Sequence, residues 1–132
     1  MRNYLFPIFS LALIIALSCT KDESSNKVAV YYVIEGFYNA NNPNGNTGNE
    51  INVLTQMTMP GGSTQSGSVR TPYTAVSRDY SPGETVTLRG ESIPPFTTIT
   101  VKLIKDGIEW KKFTTTANDY GQYAVATVTG TI

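Results

Sequence analysis

The residue with the most distinctive chemistry is Cys19, the only cysteine among the 132 residues. It directly follows Ala16, Leu17 and Ser18, which close an apolar segment that begins at Leu5. A basic start, an apolar core and small residues before a cleavage point are what an export signal requires. Cleavage before Cys19 would leave its thiol on the first residue, where it could be acylated.

This arrangement resembles the processing site of bacterial lipoproteins. The resemblance implies that a signal peptidase recognises Ala16, Leu17 and Ser18, and that Cys19 receives a diacylglycerol and an N-acyl chain such as palmitate. Each buried methylene contributes about 0.8 kcal/mol, so two or three acyl chains give nearly permanent membrane attachment. Apart from this covalent lipid, no cofactor and no metal are expected.

Two other interpretations of the segment are a retained transmembrane helix and ordinary secretory cleavage with a free thiol. The apolar run is shorter than the roughly 20 residues of a spanning helix, and Pro7 interrupts it. Lipidation is favoured over both, because it would use the only cysteine of the chain. With a single cysteine, no disulfide can form within the chain.

The polar run after the cysteine predicts a flexible tether over residues 19–27, between a signal peptide (1–18) and one domain (28–132). Lys21, Asp22 and Glu23 resemble the surface-export signal of Bacteroidota-type lipoproteins, although a solvated linker is an equal alternative. Thr20 stands where an aspartate would favour inner-membrane retention. The prediction is therefore an outer-membrane protein, at the cell surface or on the periplasmic face.

The composition argues against catalysis. Histidine, the usual base of a nucleophilic triad, is absent. The pair Ser24 and Lys27 lies in the tether, where nothing would desolvate the lysine. Asp79 with Glu84 or Glu91 would matter only if the fold brought two carboxylates together. We therefore predict no catalytic residue and no enzymatic activity. Ten basic and ten acidic residues also give no electrostatic reason to expect nucleic acid as a partner.

The domain sequence predicts about seven strands and no amphipathic helix, which favours a two-sheet sandwich. Gly36 is expected to end a first strand that is covered on both faces. Apolar alternation predicts a half-buried second strand over 50–59, with an irregularity near Leu54. Residues 39–49 and 60–67 are rich in turn formers and predict exposed loops. Further strands are predicted over 69–76, with Pro72 at an edge or a bulge, over 84–89 with Val86 and Leu88 on one face, and over 124–128.

The clearest local signal is a β-hairpin around Asp106 and Gly107, because such a pair favours a tight type I′ turn. We expect Ile99, Val101 and Leu103 to face the core and Trp110 to pack across from them. A bulge at Lys111 and Lys112 would return Phe113 to the interior. Tyr123 resembles the tyrosine corner of immunoglobulin-like sandwiches, which implies a structural role.

The order of these features resembles the MmpS-type small membrane proteins over most of residues 28–128. The motifs are Val30-x-Tyr32-x-Ile34-x-Gly36, Thr71-Pro72-Tyr73, Gly83-x-x-Val86-x-Leu88, Ile99-Thr100-Val101-x-Leu103-x-x-Asp106-Gly107 and Gly121-x-Tyr123-Ala124. The resemblance implies an immunoglobulin-like sandwich that is an accessory to an MmpL or RND transporter. The paired cysteines of that family would fall near Val101 and Ala126, where an apolar pair can fill the same space.

Two functions are therefore expected. The first is a membrane-anchored, non-catalytic accessory or interaction module that docks an envelope protein by a strand edge or a sheet face. The second is glycan or small-ligand binding through aromatic rings at predicted strand ends, namely Phe37, Tyr38, Tyr73 and Tyr80.

Overall fold

The computed structural model describes residues 26–132, which form nine β-strands and no helix. The predicted signal peptide, the predicted lipidation site Cys19 and the predicted export motif at residues 21–23 lie outside the described residues. The strands are β1 (Val28–Tyr38), β2 (Asn52–Thr58), β3 (Thr64–Arg70), β4 (Tyr73–Thr74), β5 (Arg78–Tyr80), β6 (Thr85–Ser92), β7 (Thr97–Lys105), β8 (Ile108–Thr116) and β9 (Val125–Thr131).

The strands pair into two antiparallel sheets that pack face to face. The first sheet has the order β4-β1-β7-β8, with β5 also pairing with β1, and the second has the order β3-β2-β6-β9. The predicted all-β, two-sheet sandwich is confirmed, with nine strands instead of about seven. The central strands pair as β1 with β7 in the first sheet and β2 with β6 in the second. In the sequence, both β2 and β6 lie between β1 and β7.

Alternating residues of the central strands build the core between the sheets. Val86 and Leu88 on β6 and Ile99, Val101 and Leu103 on β7 are fully buried, as predicted. Full burial of one such side chain contributes about 1.5–3 kcal/mol, so this interior supplies the main driving force for folding.

The two positions that the MmpS resemblance assigns to cysteines are both buried and apolar. A side chain at Gly90 would stand 2.9 Å from Val101, and Gly90 pairs with Ala126 on the neighbouring strand. Val101 therefore lies over the part of the second sheet that contains Ala126, and apolar packing occupies this space.

Strand β1 differs from its prediction in two ways. It continues through Gly36 to Tyr38, because β7 pairs with it as far as Thr97. Its outer face is not covered, since Glu35 and Phe37 are exposed. Gly36 lies inside the strand because Ile51 packs directly on it, and a Cβ there would stand 2.6 Å from the Ile51 side chain.

The region after β1 was partly mispredicted. Strand β2 has no irregularity: Thr55 takes the buried position and Leu54 faces solvent. Residues 64–67, expected in a loop, belong to β3 because β2 pairs with them in regular register. The strand expected over 69–76 is divided between β3 and β4, with Pro72 in the connection.

The predicted hairpin is confirmed, with φ angles of 49° at Asp106 and 81° at Gly107, as a type I′ turn requires. The predicted bulge position was wrong. Leu103 pairs with Lys111 and Ile104 pairs with Glu109, so Trp110 is the extra residue. Phe113 pairs with Val101 and therefore lies on the inner face of the sheet, but at this edge half of its side chain is exposed.

Tyr123 does not form a buried corner before β9, because 49% of its side chain is exposed. The buried residue that ties β9 to β6 is Ser92. Its hydroxyl accepts a hydrogen bond from the Ala124 amide at 2.9 Å, and its own amide donates to the Ala124 carbonyl at 2.9 Å. The buried Ser92 hydroxyl thus makes the kind of hydrogen bond to the backbone that the resemblance implies for the Tyr123 hydroxyl.

Candidate functional site

The candidate site lies along one long side of the sandwich, between β3 of the second sheet and the short strands β4 and β5 of the first. It is a groove of about 260 Å³, which we call the interlayer groove. Residues on both of its walls include Tyr32, Thr55, Met57, Gln65, Gly67, Val69, Tyr73 and Arg78.

The strand register explains why these side chains meet. Gln65, Gly67 and Val69 pair with Met57, Thr55 and Val53, which are buried, so both sets face the other sheet. On the opposite wall, Tyr73 pairs with Ile34 and Arg78 pairs with Val30, both core residues. Side chains of directly paired residues lie on the same face of a sheet. Tyr73 and Arg78 therefore project into the space between the sheets.

The groove stays open because β3 brings little volume to its inward face. Gly67 has no side chain, and the nearest atom to a Cβ built there is the Thr55 hydroxyl oxygen at 3.7 Å. Gln65 and Val69, the inward neighbours of Gly67, are exposed and half-buried. No close approach requires glycine at this position, although glycine in a strand costs roughly 0.5–1 kcal/mol relative to alanine.

Two tyrosines form the aromatic part of the opposite wall. The rings of Tyr32 and Tyr73 lie 5.8 Å apart between centroids and are tilted by 41°. Burial raises the pKa of Tyr32, the neighbouring Tyr73 raises it further, and the Thr55 hydroxyl lowers it. The Tyr32 phenol is therefore neutral at physiological pH, and tyrosine hydroxyls can both donate and accept hydrogen bonds.

Arg78 gives the groove a positive charge. Four ion pairs join side chains within residues 26–132, and none of them includes Arg78: Arg70 with Glu50, Arg89 with Glu91, Lys102 with Glu35, and Lys112 with Glu109. A guanidinium without a carboxylate partner can bind an anionic group through two parallel hydrogen bonds.

The four aromatic residues predicted to bind a ligand do not form one platform. Tyr73 lines the groove, but Phe37 is on the outer face of the first sheet with 49% of its side chain exposed. Tyr38 is half-buried at the end of β1. Tyr80 is fully buried, and its hydroxyl donates to the Thr58 carbonyl at 2.7 Å. Of the four, only Tyr73 is part of the candidate site.

Sequence reasoning missed the other groove residues, above all Tyr32, Gly67 and Arg78. Tyr32 was visible only as one of several aromatic residues in a strand. Gly67 was assigned to a loop, and without β3 nothing indicated that residues 65–69 form a wall. In a strand, Gln65, Gly67 and Val69 would lie on the same face and leave it nearly empty. This pattern is the sequence signal that could have revealed the groove.

Two of the three carboxylates considered for catalysis have structural partners. Glu84 accepts hydrogen bonds from the backbone amides of Gly61 and Ser81, which lower its pKa. Glu91 is ion-paired with Arg89, and Asp79 lies on the other sheet, in β5. In the part of the chain that the structure describes, no three Asp, Glu, His or Cys side chains are grouped as metal ligands would be.

No protein-family model matches this sequence, and no curated protein matches it. Residues 26–132 contain no helix long and apolar enough to cross a bilayer. The interlayer groove is therefore interpreted from its own geometry.

Proposed function

We propose that this protein is a membrane-anchored, non-catalytic interaction module whose β3 edge and interlayer groove bind an extended segment of an envelope protein. The segment would add a strand to the second sheet beside β3, with alternate side chains in the groove. Strand addition of this kind takes affinity from backbone hydrogen bonds and specificity from side-chain pockets. The observation that carries the proposal is an unprotected edge strand beside an open groove.

Edge strands normally carry features that prevent pairing with another chain, such as lysine, proline, bulges or short length. β8 has a bulge at Trp110 and two lysines, and β4 and β5 are only two and three residues long. β3 pairs regularly with β2 over seven residues and has no lysine or proline. It is therefore open to another strand.

β9, the other edge of the second sheet, also has no lysine or proline. On that side, however, the indole of Trp110 packs against Gly130 and closes the space between the sheets. Among the strand edges within residues 26–132, only that of β3 combines a free strand with room for side chains.

The groove indicates what the bound segment should contain. Arg78 favours an acidic side chain, and the tilted pair Tyr32 and Tyr73 favours an apolar or aromatic one. Side chains alternate between the two faces of a strand. The acidic residue and the apolar residue of the bound segment should therefore be an even number of positions apart in its sequence.

The edge is tested by placing a photo-crosslinking amino acid at Ser66, on exposed β3, in intact cells. The matched control is Thr114, an exposed residue on the bulged edge β8. We expect a discrete crosslinked protein from Ser66 that is absent from Thr114. Ser66→Lys with Ser68→Lys should abolish partner binding without unfolding the domain, because both side chains are exposed. Unchanged binding by this double variant would refute strand addition.

A second candidate is glycan binding in the same groove, which the Tyr32 and Tyr73 rings favour because sugars stack on aromatic faces. The two functions respond differently to two variants. Gly67→Leu fills the groove and should prevent either ligand from binding. Ser66 and Ser68 also border the groove, but they pair with the exposed Gln56 and Leu54, so lysine side chains at these positions point to the outer face of the sheet. The double variant should therefore lose strand addition and still give signal on an oligosaccharide array.

Membrane attachment through Cys19, an outer-membrane location and a transporter as partner belong to the same proposal. They rest on the lipoprotein resemblance for the first two and on the MmpS resemblance for the third. A Cys19→Ala variant should no longer be found in the membrane fraction. If mass spectrometry detects no acyl chains on the parent protein, the lipid anchor is contradicted.

A further inference from the structure

The tether enters the sandwich beside the tip of the β7–β8 hairpin. The Asp106 amide donates to the Ala29 carbonyl at 2.9 Å, and the Ala29 amide donates to an Asp106 carboxylate oxygen at 3.2 Å. Val30, the next residue, pairs with Lys105. The start of β1 and the hairpin tip are thus held together at one end of the domain.

The chain outside the domain sets how far this end can lie from a lipid at Cys19. Cys19 precedes Val28, the first residue of β1, by nine positions in the sequence. At about 3.3–3.6 Å per residue, such a segment spans at most about 30 Å even when fully extended. If Cys19 is lipidated, the end of the domain with the hairpin tip is held close to the bilayer.

The hairpin tip carries the side chains that suit a membrane surface. Ile108 leaves 73% of its side chain exposed, and Trp110 beside it is half-buried. The ammonium of Lys105 lies 5.1 Å from the centroid of the Trp110 ring and that of Lys111 lies 5.9 Å away. Ile108 and Trp110 also line a cavity of about 260 Å³ with Lys105, Asp106 and Glu109.

A single exposed isoleucine is ordinary on a protein surface. Here it is combined with tryptophan, which favours the bilayer interface, and with lysines that can reach lipid headgroups. We propose that Ile108, Trp110, Lys105 and Lys111 form a bilayer-contacting tip that sets the orientation of the anchored domain. This inference rests on the proposed lipid anchor at Cys19.

The test uses Trp110, the only tryptophan in the chain, as its own reporter. The full chain, purified from membranes in its processed form, is reconstituted into phosphatidylcholine and phosphatidylglycerol vesicles with or without brominated acyl chains. Flotation of the vesicles reports the anchor, and quenching of Trp110 by bromine reports contact with the bilayer.

We expect the protein to float and Trp110 to lose emission in brominated vesicles. Ile108→Asp should float equally but lose the quenching, whereas Ile108→Leu should retain it. Ile93→Asp is the matched control, because Ile93 is also an exposed isoleucine, at 45%, but lies between β6 and β7, at the opposite end of β7 from the tip. Unchanged urea unfolding of Ile108→Asp checks that the domain is folded.

The outcomes separate the two proposals. Flotation without quenching in the parent protein would overturn the tip contact and leave the anchor intact. Failure to float would refute the anchor itself and the inference with it. Equal loss of quenching in Ile108→Asp and Ile93→Asp would show that added charge, and not the tip, determines contact.

Discussion

The two long sides of the sandwich differ in what covers an inward-facing glycine on an edge strand. On the β9 side, Gly130 lies under the indole of Trp110, and an added Cβ would clash with the ring. On the β3 side, an added Cβ at Gly67 would meet nothing closer than 3.7 Å. Glycine makes room for a neighbour on the first side and leaves space unfilled on the second.

This difference distinguishes packing from a candidate binding function. At Gly130 the indole of Trp110 occupies the space that a side chain would take, and the sandwich is closed on this side. At Gly67 the space remains open beside a free strand, so the domain forgoes burial that a larger residue would supply. A cost in stability without a steric reason is what a site kept for a ligand would show.

The largest expected effect is that of Gly130→Ala on the closed side. The added methyl group cannot coexist with the ring of Trp110, so the indole or the strand must shift. Overpacking of this kind costs about 1–3 kcal/mol, and we expect a loss of about 2 kcal/mol or more in unfolding free energy. Urea unfolding followed by circular dichroism measures it.

The control for that prediction is the same substitution in a Trp110→Leu background. If the clash with the indole is the cause, the cost of alanine at position 130 should fall sharply in this background, which is a coupling between the two sites. Equal costs in both backgrounds would mean that Trp110 does not close this side in solution.

A middle-sized effect is expected from Tyr80→Phe, near the open side. The Tyr80 hydroxyl on β5 donates to the Thr58 carbonyl at the end of β2, and this hydrogen bond joins the two sheets. Its loss should cost about 1 kcal/mol at neutral pH. This result would show that the Tyr80 hydrogen bond stabilises the open side, whereas the Trp110 indole stabilises the closed side.

The pH dependence gives this prediction a second measurement. Burial raises the pKa of Tyr80, and Glu84 adds to the rise while Arg78 opposes it. A group whose pKa is raised on folding stabilises the protein fully below its usual value of 10.0 and loses that contribution as the pH rises through the folded pKa. The stability difference between the parent and Tyr80→Phe should therefore shrink above pH 10.0. A constant difference across that range would contradict the assignment.

How much of this could be predicted depends on how local each feature is. The hairpin was predictable because Asp106 and Gly107 specify its turn within two residues, and the core of β6 and β7 followed from alternation. Strand β3 was not, because Ser66 and Gly67 are turn-forming residues and this segment becomes a strand only through pairing with β2. The groove joins Tyr32 and Gly67 across two sheets, so no local pattern contains it.

The smallest effect, Gly67→Ala, sharpens the comparison most directly. The new methyl group has space, and alanine loses less backbone entropy than glycine on folding, so we expect the unfolding free energy to rise by about 0.5 kcal/mol. The urea midpoint should move upward with an unchanged slope, opposite in sign to Gly130→Ala. If Gly67→Ala were instead destabilising by a similar amount, the space beside β3 would be filled in solution and the groove would not be available to a ligand. A gain in stability accompanied by weaker partner capture would show that the open side is kept for binding at the expense of folding.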